Sequence, residues 1–227
     1  MKLSTETIDV LKNFAVINQG IFFKEGKTLK TVSSHKNIMA QAVIKEKIPT
    51  EFGVYDLNNF LSVLSLNRDE PVLSFKNNNV IISSTDGRRE IKYRFCAAHM
   101  IVTPPEKTLV VPNPEISFSI KESDLKDIIQ QANVLSSPNI AVESDGDKIT
   151  MRTFDGSDDA AHDGTSTIDK GNGDKYSMLF KTENFKMIPG DYDVQISSKG
   201  ISHFKNKTLD IEYWIATEAN SKFKKGS

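Results

Sequence analysis

The chain has 227 residues, 38% hydrophobic and 26% charged, with 29 Lys and Arg against 30 Asp and Glu for a net charge of -1. That length accommodates one large core or two of about 100 residues each, and the balanced charge leaves any nucleic-acid contact to locally sorted residues. Cys96 is the single cysteine, which excludes an intramolecular disulfide framework and a cysteine zinc site. No apolar run approaches the ~18–20 residues of a membrane span, and residues 1–4 lead into helical periodicity rather than a signal segment. A soluble intracellular protein with no membrane partner is expected.

In chain order, Ser4 can cap a first helix whose face of Val10, Leu11, Phe14 and Ile17 is apolar, with Asp9, Lys12 and Asn13 on the other side. Strands are predicted at residues 20–24, 28–33 and 38–44, with a turn at Glu25-Gly26. Residues 55–57 open a second helix with Leu57, Phe60, Leu61 and Leu64 inward and Asn58, Ser62 and Ser65 outward. Strands at 72–75, 80–84 and 90–95 follow, the last alternating Ile91, Tyr93 and Phe95 against Lys92 and Arg94. Between His99 and Glu115 the prolines at 104, 105, 112 and 114 surround Val102, Leu109, Val110 and Val111, which predicts an extended apolar linker. The domain boundaries are therefore set at 1–98, a linker at 99–115, and 116–227.

Beyond the linker the plan restarts with a strand at 116–120. A helix follows, with Leu125, Ile128, Ile129, Ala132 and Leu135 inward and Lys126, Gln130 and Asn133 outward. Y-x-x-x-N-F at 55–60 returns as F-x-x-x-N-F at 180–185, read as another helix start, and residues 90–95 are echoed by 210–215. The fold class is thus α+β, two similar units in which helices cover one face of antiparallel sheets. No phosphate loop, nucleophile elbow or HExxH is present, and the four histidines lack ligand spacing, so neither an enzyme nor a cofactor or metal is expected. Residues 155–174 are rich in aspartate but fail the calcium-loop pattern, and read as an acidic edge strand flanked by loops. The tail Lys222-Phe223-Lys224-Lys225 is either a mobile basic end or an electrostatic contact.

Several segments taken together resemble a known family. Residues 55–66 (YDLNNFLSVLSL), 1–4 (MKLS), 11–15 (LKNFA), Gly20-Ile21 with Lys24 and Gly26, 102–107 (VTPPEK), and Lys186-Met187 with 189–192 (PGDY) are similar, in order and spacing, to the sliding clamps of T-even-type bacteriophages. The resemblance runs over nearly the whole length and is loosest at 155–174. It implies a homotrimeric ring, similar in architecture to proliferating cell nuclear antigen, with sheets outside and two helices per domain lining a hole for duplex DNA. The implied function is to tether the phage DNA polymerase for processive replication in the cytoplasm of the infected host. An ATP-driven clamp loader and late-transcription proteins are further implied partners. The competing reading is a structural protein built from a duplicated α+β unit that does not bind DNA.

On that resemblance, the polar helix faces become a modestly positive lumen, with Lys12, Asn13, Lys126, Gln130, Lys181 and Lys186 as phosphate contacts and Arg68 as an additional candidate. Ring closure needs a head-to-tail contact. The basic last strand of the first half (Arg88, Arg89, Lys92, Arg94, with Tyr93 and Phe95 adding apolar contact) is expected to meet the acidic stretch Asp158, Asp159, Asp163 and Asp169. A partner-peptide pocket is expected around Ile101, Val102, Leu109, Val110, Trp214 and Ala216, on the ground that apolar linker residues left on a surface serve binding.

Overall fold

The computed structural model describes residues 1–67, 71–107, 109–158 and 160–226. The chain divides into two compact units, Met1–Lys107 and Thr108–Ser227, the division falling inside the predicted linker.

The first unit opens with helix α1 (Thr5–Ile17), capped by the Ser4 hydroxyl, which accepts from the Thr7 amide at 3.3 Å. Val10, Leu11, Phe14 and Ile17 recur at helical spacing and are all buried, so one flank of α1 is core. Strands β1 (Ile21–Phe23), β2 (Gly26–Val32), β3 (Ile38–Ile48) and β4 (Phe52–Val54) follow, with β1 paired to β4 and β2 to β3, both antiparallel. Helix α2 (Leu57–Ser65) begins where Asp56 accepts the Asn59 amide at 2.8 Å, and it buries Leu57, Phe60 and Leu64. Strands β5 (Val72–Lys76), β6 (Asn79–Ser83) and β7 (Glu90–Arg94) form a meander in the order β5-β6-β7, which leaves β7 as an edge strand. Gly53 must be glycine because an added Cβ would lie 2.6 Å from the Cys96 carbonyl oxygen, where the backbone bridges between those residues.

The second unit begins with β8 (Ile116–Ile120) and helix α3 (Glu122–Val134), then β9 (Asn139–Asp145), β10 (Lys148–Phe154), β11 (Gly164–Lys170) and β12 (Lys175–Lys181). Strands β13 (Tyr192–Ser197), β14 (Ile201–Asn206), β15 (Ile211–Ala216) and β16 (Lys222–Lys224) complete it. One sheet runs β11-β10-β9-β12-β16, and β15-β14-β13-β8 form a second antiparallel run. The basic tail is therefore an edge strand paired to β12, with Phe223 stacked on Tyr176 at 6.4 Å. The acidic stretch contains β11, the opposite edge of the same sheet, flanked by loops as expected.

One predicted element departs from expectation. The F-x-x-x-N-F echo opens a single 3-10 turn, Thr182–Asn184, so the second unit has one α-helix among its described residues, where two were expected. Its physical cause lies a few residues on. Pro189 removes a backbone donor and biases Ile188 away from helical torsions, and Gly190 sits at φ 154°. The freed backbone groups of Ile188 are taken by two buried tyrosines: Tyr192 donates its hydroxyl to the Ile188 carbonyl, and the Ile188 amide donates to the Tyr213 hydroxyl at 3.1 Å. The echo survives in packing, since Phe60 and Phe185 are both buried, but Tyr55 is exposed where Phe180 is fully buried against Phe185 and Phe204.

Candidate nucleic-acid interface

The helices offer the surfaces on which a nucleic acid could rest. Shifting α1 by 118 residues onto α3 superposes their buried positions, Thr7 on Leu125, Val10 on Ile128 and Phe14 on Ala132, with buried Leu11 falling on half-buried Ile129. The exposed positions then match as well, Thr5 with Ser123, Asp9 with Asp127, Lys12 with Gln130, and Val16 with Val134, which are 59% and 75% exposed. Exposed Asn58, Asn59, Ser62 and Ser65 give α2 an uncharged polar face.

These faces are hydrogen-bond-rich and close to neutral. Lys12 is exposed but ion-paired to Asp9 at 2.9 Å, and Lys126 is accompanied by Glu122 and Asp127. On the helices themselves Asp9, Glu122 and Asp127 offset Lys12 and Lys126, which leaves Lys181 and Lys186 as the lysines of the expected set not flanked this way. Asn13 is half-buried and Gln130 exposed. Lys181 and Lys186 are half-buried, not on a helix, and converge on a cleft of about 700 Å³ beside α3, lined also by Ile129, Asn133, Ser137 and Thr182. Lys181 is held there by a 3.2 Å bond from its Nζ to Asn139. A second cleft of about 250 Å³, lined by Leu125, Lys126, Met187, Ile188 and Pro189, continues along the same helix. Both clefts flank α3 beside the 181–190 segment, where the expected helix is reduced to the single 3-10 turn and irregular chain. Arg68 lies outside the described residues.

Of the expected edge residues, Lys92 and Arg94 project outward from β7 and Arg88 is exposed beside Asp86 at 3.7 Å. Arg89 donates to the Leu66 carbonyl. Strand parity turns the neighbours the other way. Tyr93 packs edge-on against Phe60 at 5.0 Å and donates its hydroxyl to the Asp56 carbonyl, and Phe95 stacks on Phe52 at 4.7 Å. Both rings are half-buried and spend part of their surface on the first unit's own Phe60 and Phe52, on the opposite side of β7 from Lys92 and Arg94. Burial pushes the Tyr93 hydroxyl above its ordinary pKa, with the Asp56 charge adding to it.

On the acidic side, Asp158 and Asp163 are exposed in the loop before β11 and Asp169 on the strand, while Asp159 lies outside the described residues. Sequence reading missed Arg152, which reaches Glu143 through two 3.0 Å bonds, approaches Asp163 at 3.9 Å and lies 4.4 Å over the Phe154 ring. Its guanidinium, followed by the Ser177 hydroxyl, holds the Glu143 carboxyl below the usual range. Alternation along β10 carried the signal, because Arg152 sits on the opposite face from buried Met151 and Thr153.

The residues expected to form a peptide pocket fall into two kinds. Ile101, at 8% exposure, and Trp214, at 4%, are core residues, the latter stacked on His203, whose Nε2 lies 2.8 Å from Glu212. Val102 and Val110 are exposed, and Leu109 and Ala216 half-buried.

Comparison with known proteins places this architecture. Residues 4–103 match the family model for the DNA polymerase processivity factor, and residues 117–219 the model for the C-terminal part of the gp45 sliding clamp. The sliding clamp of Vibrio phage KVP40 is 34% identical over 226 residues, covering 96% of this chain and 100% of that one. That of Enterobacteria phage T4 is 31% identical, covering 97% and 98%. Among solved structures, PCNA from Thermococcus kodakaraensis superposes with a TM-score of 0.69 at 13% identity, covering 94% of this chain and 96% of that one. The Helicobacter pylori beta clamp bound to a DNA ligase peptide gives 0.70 at 11% identity, covering 96% and 65%. A duplicated α+β unit that covers one side of its sheets with polar-faced helices is thus the DNA-clamp fold. The chain belongs to the sliding-clamp family of DNA polymerase processivity factors.

Proposed function

We propose that three copies of the chain close head to tail into a ring around duplex DNA, holding the phage polymerase on its template without catalysing a reaction. The observation that carries this reading is a charge asymmetry. Met1–Lys107 contains 15 Lys and Arg against 11 Asp and Glu, a net +4, whereas the second unit contains 14 against 19, a net -5. Each unit also ends its meander or sheet on an open edge strand, β7 with Lys92 and Arg94 outward, and β11 with Asp163 and Asp169 beside it. Unlike units attract and like units repel, so charge favours first-unit-to-second-unit contacts, which is the heterologous contact a closed ring requires. Paired backbone edges supply the directional part of that contact.

The near-neutral helix faces suit a ring whose retention is topological. Amides and hydroxyls can reach phosphates through water without a deep energetic register, leaving the duplex free to slide. Lys181 and Lys186, converging beside α3, are the strongest candidates for a direct phosphate contact. An ATP-driven loader, late-transcription proteins and residence in the host cytoplasm complete the reading by family membership.

Sedimentation tests the edge pairing. The Lys92→Glu/Arg94→Glu chain is expected to lose the trimer at concentrations where the parent keeps it, and adding Asp163→Lys/Asp169→Lys to the same chain is expected to restore it. A doubly substituted chain that sediments as the parent would overturn the charge-paired edge. Retention on circular but not linear DNA checks encirclement independently.

A further inference from the structure

The register of the second unit's large sheet assembles a feature that no stretch of sequence displays. Lys170 on β11 pairs directly with Lys148 on β10. Lys148 and Asp145 close the β9–β10 hairpin, Asp145 pairs with Lys175 on β12, and Lys175 pairs with Lys224 on β16. Directly opposed residues share a face, so Lys170, Lys148, Asp145, Lys175 and Lys224 form one row across five strands, about 19 Å long at ~4.8 Å per strand. All five are exposed, and Lys222 lies on the same face of β16, two residues along.

This row is costly and short of counter-charge, with four lysines to the one carboxylate of Asp145. Lysines directly opposite one another destabilise a sheet, and the row contains two such pairs. Lys12, Lys24, Lys45, Lys47 and Lys207 each have a carboxylate within 4.0 Å, but among the described residues none of these four lysines does. The nearby acids are largely engaged elsewhere. Asp145 accepts the Asp147 and Lys148 amides at 3.1 and 3.2 Å, and Asp174 accepts from Gly226 and Asn172, so Asp145 and Asp147 are the exposed counter-charges beside the four lysines. The basic row moreover stands on a unit whose net charge is -5.

Orientation selects the ligand. Helix α3 packs on the face that carries Met151 and Thr153, the Thr153 hydroxyl lying 3.4 Å from Gln131 of that helix, whereas Lys148 alternates to the other face. The row thus looks away from the helix surface assigned to DNA. No exposed aromatic ring stands in it to stack a base, Tyr176 and Phe223 being turned to the opposite face and stacked on each other.

We propose that this lysine row is the docking surface for an acidic segment of a partner protein, which would bind across the strand ends while the helix face stays free for the duplex. The site needs one folded chain and holds whether or not the chain closes a ring.

Fluorescence anisotropy of a short labelled oligoglutamate with the full chain at low salt tests it. The parent is expected to bind, with affinity falling as ionic strength approaches ~0.15 M. The Lys148→Glu/Lys175→Glu/Lys224→Glu chain is expected to lose about tenfold in affinity. The Lys27→Glu/Lys76→Glu/Lys199→Glu chain, with the same change in net charge, should keep it. The Gln versions of the first three substitutions, which relieve the like-charge pairs, guard against a folding failure and should also weaken binding. Equal losses in the two Glu chains would reduce the effect to net charge and overturn the site. Binding of a short duplex at the row in preference to oligoglutamate would overturn the assignment of the partner.

Discussion

The two units solve the same packing problem with different means, and the contrast shows what the repeated plan constrains. In the first, α1 inserts Phe14 into the core and α2 lies alongside it, capped by Asp56. In the second, Ala132 takes the place of Phe14, the second helix is a single turn, and Phe180, Phe185 and Phe204 fill the interior edge to face at 5.6 to 6.4 Å. Both units preserve a polar outer helix face; they differ in how the inner side is filled. The strongest test of that comparison removes the residue only one unit has. Phe14 is fully buried, so Phe14→Ala is expected to cost about 3–5 kcal/mol by urea denaturation, the range for deleting a buried aromatic ring. A loss under ~1.5 kcal/mol would mean that the first unit can collapse onto an alanine as readily as the second accommodates Ala132.

Alkaline pH probes the device that replaces the missing helix. Burial pushes the Tyr192 hydroxyl up to about 12, and burial with the neighbouring Tyr192 raises Tyr213 as well. The folded state therefore favours the neutral phenols more than the unfolded chain does. Their contribution is fully present below the unfolded pKa of about 10 and is lost as pH rises from there through the folded value, because the unfolded chain gives up its protons first. For Tyr192 the loss across that window amounts to about 2–3 kcal/mol. Stability measured between pH 9 and about 12 should fall in the parent and fall less steeply in Tyr192→Phe, with hydrogen exchange at Ile188 rising first. Identical pH slopes in parent and variant would show that the tyrosine pair does not anchor the 188–190 segment.

How much of this could be read in the sequence differs by length scale. Helices α1, α2 and α3 were legible because their apolar residues recur at helical spacing over nine to thirteen residues. The repeat was legible in Y-x-x-x-N-F and its echo, but the echo preserves packing positions and not the helix. Pro189-Gly190 held the warning, since a proline nine residues past Phe180 falls where Leu64 sits in α2. Parity likewise forbids Tyr93 and Phe95 from sharing a face with Lys92 and Arg94, so the inward turn of those rings was available from alternation alone. The neutral balance of the helix faces needed the pairing of Lys12 with Asp9, which geometry supplies at i to i+3. The lysine row was out of reach. It depends on register across strands from Asp145 to Lys224, and on a three-residue β16 too short to announce itself by periodicity.

The smallest expected effect concerns the exposed faces on which the two units agree. Asp9 and Asp127 occupy matching exposed positions, and in the proposed ring each would set a carboxylate toward the phosphates of the duplex. If the faces hold DNA by confinement and not by attraction, the diffusion of the loaded clamp along DNA should depend weakly on salt. Asp9→Asn leaves folding essentially unchanged, because the ion pair is exposed, and releases Lys12 toward phosphate. Each phosphate that a released lysine then neutralises adds about -0.9 to the slope of log affinity against log salt, so up to about three units for three copies. Diffusion should slow most at low salt and return toward the parent value as the Debye length shrinks. Unchanged salt dependence in the variant would place Lys12 out of phosphate reach and shift the contact to the second unit, where Lys181 and Lys186 line the cleft beside α3.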